Sequence, residues 1–176
     1  MDNKTCCFTG HRPKSLPFGC NENEPGCIKL KELLTATIER QIVENGVTHF
    51  ISGMAIGVDI YAAEVVLKLK EKYPQITLEC AIPCETQAVK WSESWRERYF
   101  DIISRCDKET LFRKHYTPDC MMNRNKYMVD NSDAVIAVWN GTEGGTGNTV
   151  NYAIGNGKKV IVLDPDKLTD AYIVKT

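Results

Sequence analysis

Apolar residues are distributed along this chain in two alternating rhythms. Short unbroken runs give way to longer stretches in which they recur every three or four positions. Thr5 to Thr9 is a short apolar run that predicts a strand, and it ends in Gly10-His11-Arg12-Pro13. An irregular stretch with three prolines and two glycines follows to about Gly26, a loop length that is often functional. From Cys27 to Asn45 the residues Ile28, Leu30, Leu33, Leu34, Ile38, Ile42 and Val43 keep helical spacing, and Asn45-Gly46 closes the helix. Val47 to Ile51 predicts a second strand that runs into Ser52-Gly53-Met54-Ala55-Ile56-Gly57-Val58-Asp59, then a helix through about Lys72. Ile76 to Ile82 is a third strand, stopped by Pro83. Glu85 to Cys106 reads as a helix carrying Ala88, Trp91, Trp95, Tyr99 and Ile102 on one face.

The second half repeats the rhythm. Lys108 to Phe112 is a weak strand and Pro118 to Asn131 is helical. Ala134 to Trp139, rich in Val and Ile, reads as a strand buried on both faces. It feeds the Gly-rich stretch Asn140 to Thr149 and then a segment that is helical to about Ile154. Val160 to Leu163 is the last clear strand, stopped near Pro165. Strand and helix alternate through nearly the whole chain, which predicts an α/β architecture: an open, mostly parallel sheet with helices on both faces. With no internal repeat, low-complexity segment or linker, residues 1–176 read as one domain. Ligands of such sheets bind at the carboxyl ends of the strands. The loops Gly10–Pro13, Ser52–Asp59 and Asn140–Thr149 each follow a strand directly, so right-handed crossovers bring all three to one edge.

Composition narrows the classes. A chain of 176 residues buries roughly 70% of its unfolded surface. A net charge of −1 argues against a general nucleic-acid binder, which usually carries a basic excess. No apolar run is long enough to span a membrane, and MDNKTCCF lacks the apolar core of a signal peptide, so a cytoplasmic protein is expected. The eight cysteines have irregular spacing and no CxxC pair, as suits buried free thiols in a reducing compartment. A metal site from Cys20, Cys27 and a histidine is the minor alternative, and neither metal nor cofactor is expected.

The chemistry then concentrates in the three loops. After the strand ending at Trp139, Gly144, Gly145 and Gly147 allow close backbone approach, and Thr146, Asn148 and Thr149 offer short donors. A Gly-rich turn leading into a helix presents free N–H groups to a phosphate or another anion. It is not a Walker A loop, because no Lys follows Gly147, and the glycine spacing does not fit GxGxxG. Gly53 and Gly57 mark a similar turn, and Asp59 suits either a helix start or a ribose hydroxyl. Arg12 has the guanidinium geometry for a phosphate, while His11 is either a structural residue or a base. Trp91 is placed to cover a nucleobase, or else packs on the sheet as Trp95 is expected to do. No nucleophile–base pair stands out: Ser52 lacks the GxSxG elbow, and any catalytic carboxylate would be Glu143, Asp59 or Glu85.

Taken in order, several motifs resemble the YpsA-like branch of the SLOG superfamily. They are Cys7-Phe8-Thr9-Gly10-His11-Arg12-Pro13, Ile51 to Asp59, Ile82-Pro83 with Gln87 and Trp91, Arg124 to Asp130, and Gly144-Gly145-Thr146. The resemblance runs from about Thr5 to Leu163. It implies a Rossmann-like fold that binds nucleotides or their derivatives, and relatives that self-associate, so a homo-oligomer is expected. Among the superfamily are DprA and the LOG phosphoribohydrolases, which release a base from a nucleoside monophosphate. The LOG pattern pairs Arg-Lys in one helix with a GGxGTxxE loop. Here Arg124 matches the Arg, but Asn125 replaces the Lys, Asn148 stands for the Thr and Asn151 stands at the acid. Asn can neither activate water nor stabilise an oxocarbenium-like centre by charge. The expectation is therefore a protein that binds a nucleotide, ADP-ribose-type or cyclic nucleotide ligand as sensor, carrier or sequestering module. A hydrolase of an N-glycosidic or phosphate bond is the alternative, and single-stranded DNA binding is third.

Overall fold

The first four strands step outward in one direction from what becomes the centre of the sheet. They are β1 (Lys4–Gly10), β2 (Val47–Ser52), β3 (Thr77–Ile82) and β4 (Lys108–Leu111), each parallel to the one before. The chain then crosses back, and β5 (Ala134–Val138) pairs with the free side of β1, with Gly10 opposite Val138. β6 (Lys159–Leu163) follows in parallel, giving the order β4-β3-β2-β1-β5-β6-β7. The computed structural model describes residues 3–174, so residues 1, 2, 175 and 176 of the expected domain lie outside the described residues. The reversal of direction falls between β1 and β5, and their carboxyl ends flank a crevice there.

Alternation along each strand sorts the core into two layers. Cys6 and Phe8 of β1 face α1 (Pro25–Asn45), α2 (Val58–Lys72) and α3 (Glu93–Arg105), with Phe8 stacked on Phe50 of β2. Cys7 of the same strand faces α4 (Cys120–Asp130) and α5 (Gly145–Gly155). Both layers are closed over β5, whose five residues are all buried, as its unbroken apolar run predicts. Gly46 ends α1 in the left-handed conformation, φ 70°, as the Asn45-Gly46 signal predicts. Six of the eight cysteines are buried, all eight are free, and Cys20 is exposed. No helix among the described residues is long and apolar enough to cross a membrane.

Three elements differ from the pattern-based expectation. The helix read from Glu85 begins only at Glu93: Gln87, Val89 and Trp91 donate instead to carbonyls three residues back, and Ser92 is extended. The buried Gln87 side chain donates to the Gly53 carbonyl at 3.0 Å and ties this segment across the sheet edge as a series of turns. α5 starts at Gly145, inside the glycine run rather than after it. A short antiparallel edge strand, β7 (Tyr172–Val174), adds to β6 beyond the last strand expected from the pattern.

One buried charge holds the outer sheet to α4. Glu79 of β3 is 1% exposed and accepts hydrogen bonds from Thr110 at 2.7 Å, Tyr127 at 2.8 Å and Lys108 at 3.2 Å, with His49 Nε2 at 2.9 Å. Burial alone would raise this carboxyl, but the hydrogen bonds from His49, Thr110, Tyr127 and Lys108 outweigh it and hold Glu79 down at about 2, from 4.5. A depressed folded pKa gives stability that is present above the unfolded value and lost as pH falls from about 4.5 to about 2. The loss amounts to about 3 kcal/mol. Urea melts at pH 6 and pH 2.5 are expected to register most of this fall in the wild type and little of it in Glu79→Gln. Equal acid sensitivity in both would remove Glu79 from the account.

Candidate functional site

At the β1/β5 switch point a cavity of about 430 Å³ opens at the carboxyl ends of the strands. Three segments build it: Phe8–Arg12 with Lys14 and Ser15, the β5–α5 loop from Thr142 to Gly147, and Met121, Arg124, Asn125 and Met128 of α4. Ala55 and Asp59 complete it from the β2–α2 turn. The three loops singled out by sequence therefore meet over one cavity.

The amides come from α5. Its first helical bond runs from Asn148 N–H to the Gly144 carbonyl at 2.8 Å. The N–H groups of Gly145, Thr146 and Gly147 consequently have no helical partner and lie at the positive end of the helix. Gly144 reaches φ 139°, a conformation other residues rarely adopt, and Gly145 has nothing within 4 Å of where a Cβ would sit. Cross-bonds hold the loop. The Trp139 indole donates to the Thr142 carbonyl at 2.8 Å, and Asn140 Oδ1 accepts from the Thr142 hydroxyl at 2.7 Å. His11, 8% exposed, sits with Nε2 at 2.9 Å from the same Asn140 oxygen, so it joins the ends of β1 and β5. This is its structural reading.

The floor is charged and buried. Arg124 is 3% exposed, donating to the carbonyls of Gly53 and Ala81 and, through Nε, to Asn125 Oδ1 at 2.8 Å. Asp59, 6% exposed, accepts from the Ala55 N–H at 3.3 Å through Oδ2, while its Oδ1 is buried with no partner. Burial pushes the Asp59 carboxyl up, against the pull of the Arg124 and Arg12 charges. Burial likewise pushes Arg124 down, against Asp59. A Cβ on Gly53 would come within 2.5 Å of Arg124 Nη1 and 2.9 Å of Asp59 Oδ2. Glycine is there to make room for these two side chains, and the left-handed step of the turn falls on buried Met54, φ 57°.

Of the residues singled out by sequence, Gly10, His11, Arg12, Asp59, Arg124, Gly144, Gly145 and Thr146 line the cavity. Gly53 and Gly57 do not; they serve packing. A Cβ on Gly57 would lie 2.9 Å from the His11 carbonyl, so its absence lets α2 dock on the end of β1, where Val58 packs on Gly10. Ser52 is spent in the same turn, donating to the Asp59 carbonyl at 2.9 Å. Thr149 donates to the Gly145 carbonyl at 3.0 Å and faces the other side of the helix. Asn148 and Asn151 line an outer depression with Trp139. Trp91 lies away from the cavity and packs edge-on against Tyr99, 5.4 Å between ring centres. Lys14 and Thr142 were not foreseen, although a lysine two residues past Arg12 was a legible signal for the first.

Arg12, Lys14 and Arg124 set three cations against the carboxyls of Asp59 and Glu143 in this cavity. That balance and the free amides suit an anionic group. No group of three or more metal-binding side chains occurs among the described residues.

A family model described as the YspA SLOG family matches residues 6–165. The chain is 35% identical over 141 residues to the SPbeta prophage-derived protein YoqJ of Bacillus subtilis (strain 168), covering 73% of this chain and 82% of that one. It is 34% identical over 142 residues to a UPF0398 protein of Bacillus thuringiensis (strain Al Hakam), covering 77% and 74%. Among solved structures, DNA processing protein A (DprA) from Streptococcus pneumoniae superposes with a TM-score of 0.61 at 14% identity, over 92% of this chain and 50% of that one. DprA from Helicobacter pylori, a structure concerned with its single-stranded DNA binding mode, gives 0.61 at 20% identity, over 92% and 65%. The chain thus spans half to two thirds of the DprA chains, and the likeness is one of fold.

Proposed function

The chain belongs to the YspA SLOG family, and from the cleft at its switch point we propose that it binds a phosphate-bearing, nucleotide-derived small molecule as sensor, carrier or sequestering module. One observation carries this reading: the unpaired amides at the start of α5 and Asp59, whose buried Oδ1 has no partner, belong to the lining of the same cavity. A phosphate satisfies the amides, with Arg12 and Lys14 beside it, but leaves Asp59 unserved. A sugar hydroxyl is the donor that Asp59 lacks. A sugar phosphate supplies both.

A panel of nucleoside mono- and diphosphates, cyclic nucleotides and ADP-ribose tests this by thermal melting. A ligand at 100-fold excess over its Kd adds about 2.7 kcal/mol and raises the melting temperature by several degrees. No shift with any of them would leave the reading without support.

A second reading, cleavage of the nucleotide, is favoured by Asp59 alone, since a carboxyl raised by burial is suited to donate a proton. Against it, the position of the LOG acid is Asn151, which faces the outer depression. Long incubations with AMP, followed by chromatography, are expected to yield no free adenine; protein-dependent adenine at catalytic turnover would replace binding with hydrolysis. Single-stranded DNA, by analogy with DprA, fits poorly with a net charge of −1. Steeply salt-dependent oligonucleotide binding would revive it.

A further inference from the structure

Beside the anion cavity, α4 and α5 frame a second one of about 310 Å³. Its surface is of a different kind. Pro118, Met121, Met122 and Tyr152 give it flat and polarisable apolar walls, while Asn125 and Asn148 supply amides. Met121, Asn125 and Gly145 line both cavities, so the two are joined at the first turn of α5.

The polar groups here are held in place. The Tyr152 hydroxyl donates to Asp130 Oδ1 at 2.9 Å, and Lys126 Nζ stands 5.6 Å from the centre of its ring. Asn125 Oδ1 already accepts from Arg124 Nε at 2.8 Å, which leaves its NH2 as a donor. The Thr149 hydroxyl is engaged with the Gly145 carbonyl. What remains is a pair of amides and the Lys126 ammonium between a thioether wall and an aromatic ring. A flat heterocycle with polar edges matches that set, because amide side chains pair with base edges and aromatic rings stack on base faces. An aliphatic chain would offer neither amide a partner.

We infer that the α4/α5 cleft is the subsite for the nucleobase of a nucleotide whose phosphate lies at the N-terminus of α5. The inference rests on the nucleotide reading above and adds to it where the base goes. Trp91, packed on Tyr99, is not needed.

Calorimetric titration of AMP, GMP, CMP, UMP, ADP-ribose and ribose 5-phosphate separates the two. Met122→Ser is the main variant, since Met122 is 53% exposed and its truncation leaves the core untouched. Tyr152→Ala is the second. At least one nucleotide is expected to bind wild type about tenfold or more tighter than ribose 5-phosphate, and both variants to reduce that preference while leaving ribose 5-phosphate affinity unchanged. If nucleotides bind no better than ribose 5-phosphate, or keep their preference in both variants, the base subsite is wrong and the anion site stands. If none of the six ligands binds, the subsite and the nucleotide reading fall together.

Discussion

Gly145→Asp is expected to abolish nucleotide binding while the protein stays folded. Gly145 occupies the first turn of α5, has no positive φ and has nothing within 4 Å of a Cβ position. The helix therefore accepts the side chain, and an acid in the first turn complements the dipole. The new carboxylate would stand among the amides that the anion needs. At an effective dielectric of about 20, two like charges about 4 Å apart repel by about 4 kcal/mol, close to a thousandfold in affinity. Titration calorimetry and a thermal melt on the same sample check both halves. Undiminished binding would remove α5 from the site.

The second large effect is on the fold. Arg124→Ala is expected to cost about 3–5 kcal/mol of stability, because it leaves the buried Asp59 carboxylate without its positive neighbour. It also withdraws the donor from the Ala81 carbonyl, whereas the Gly53 carbonyl keeps Gln87. The loss has a pH signature. Without Arg124 the folded-state pKa of Asp59 rises further, so the destabilisation is least where Asp59 is protonated and grows as pH rises through the carboxylate range. Asp59→Asn in the Arg124→Ala background is expected to recover about 2 kcal/mol at pH 7, measured as a coupling energy in a double-mutant cycle of urea melts. Additive losses in the two single variants would show that the charges do not depend on each other.

The fold was legible because its elements have clean periods. The unbroken run of β5, the helical spacing of α1 and the Asn45-Gly46 stop each predicted what the structure has. The failures occurred where tertiary contacts override a local pattern. Ala88, Trp91 and Trp95 keep helical spacing, yet Gln87 is bound to the Gly53 carbonyl and α3 waits for Ser92. β7 owes its strand conformation to pairing with β6, and its own residues are half exposed.

The place of the candidate site on the fold was legible too. Three loops following three strands predicted the shared edge, and most of the residues named on them line one cavity. Sequence cannot tell a glycine needed by a ligand from one needed by a neighbouring helix. Gly53 makes room for Arg124 and Asp59, and Gly57 for the end of β1. Nor does spacing reveal that Arg124 is buried. On a short helix with Lys126 it looks like a solvated cation, and only the crossing of α4 over the sheet puts it on the cavity floor.

The central claim is that an anionic nucleotide group sits on the first-turn amides of α5. An amide-resolved NMR titration of the isotopically labelled protein, with the tightest nucleotide of the panel, tests it most directly. The largest shift changes are expected at Gly145, Thr146 and Gly147, with smaller ones at His11 and Arg12, and the same ligand should leave the Gly145→Asp spectrum unmoved. Changes confined to other regions of the fold, or none at the three α5 amides while the ligand is bound, would contradict it.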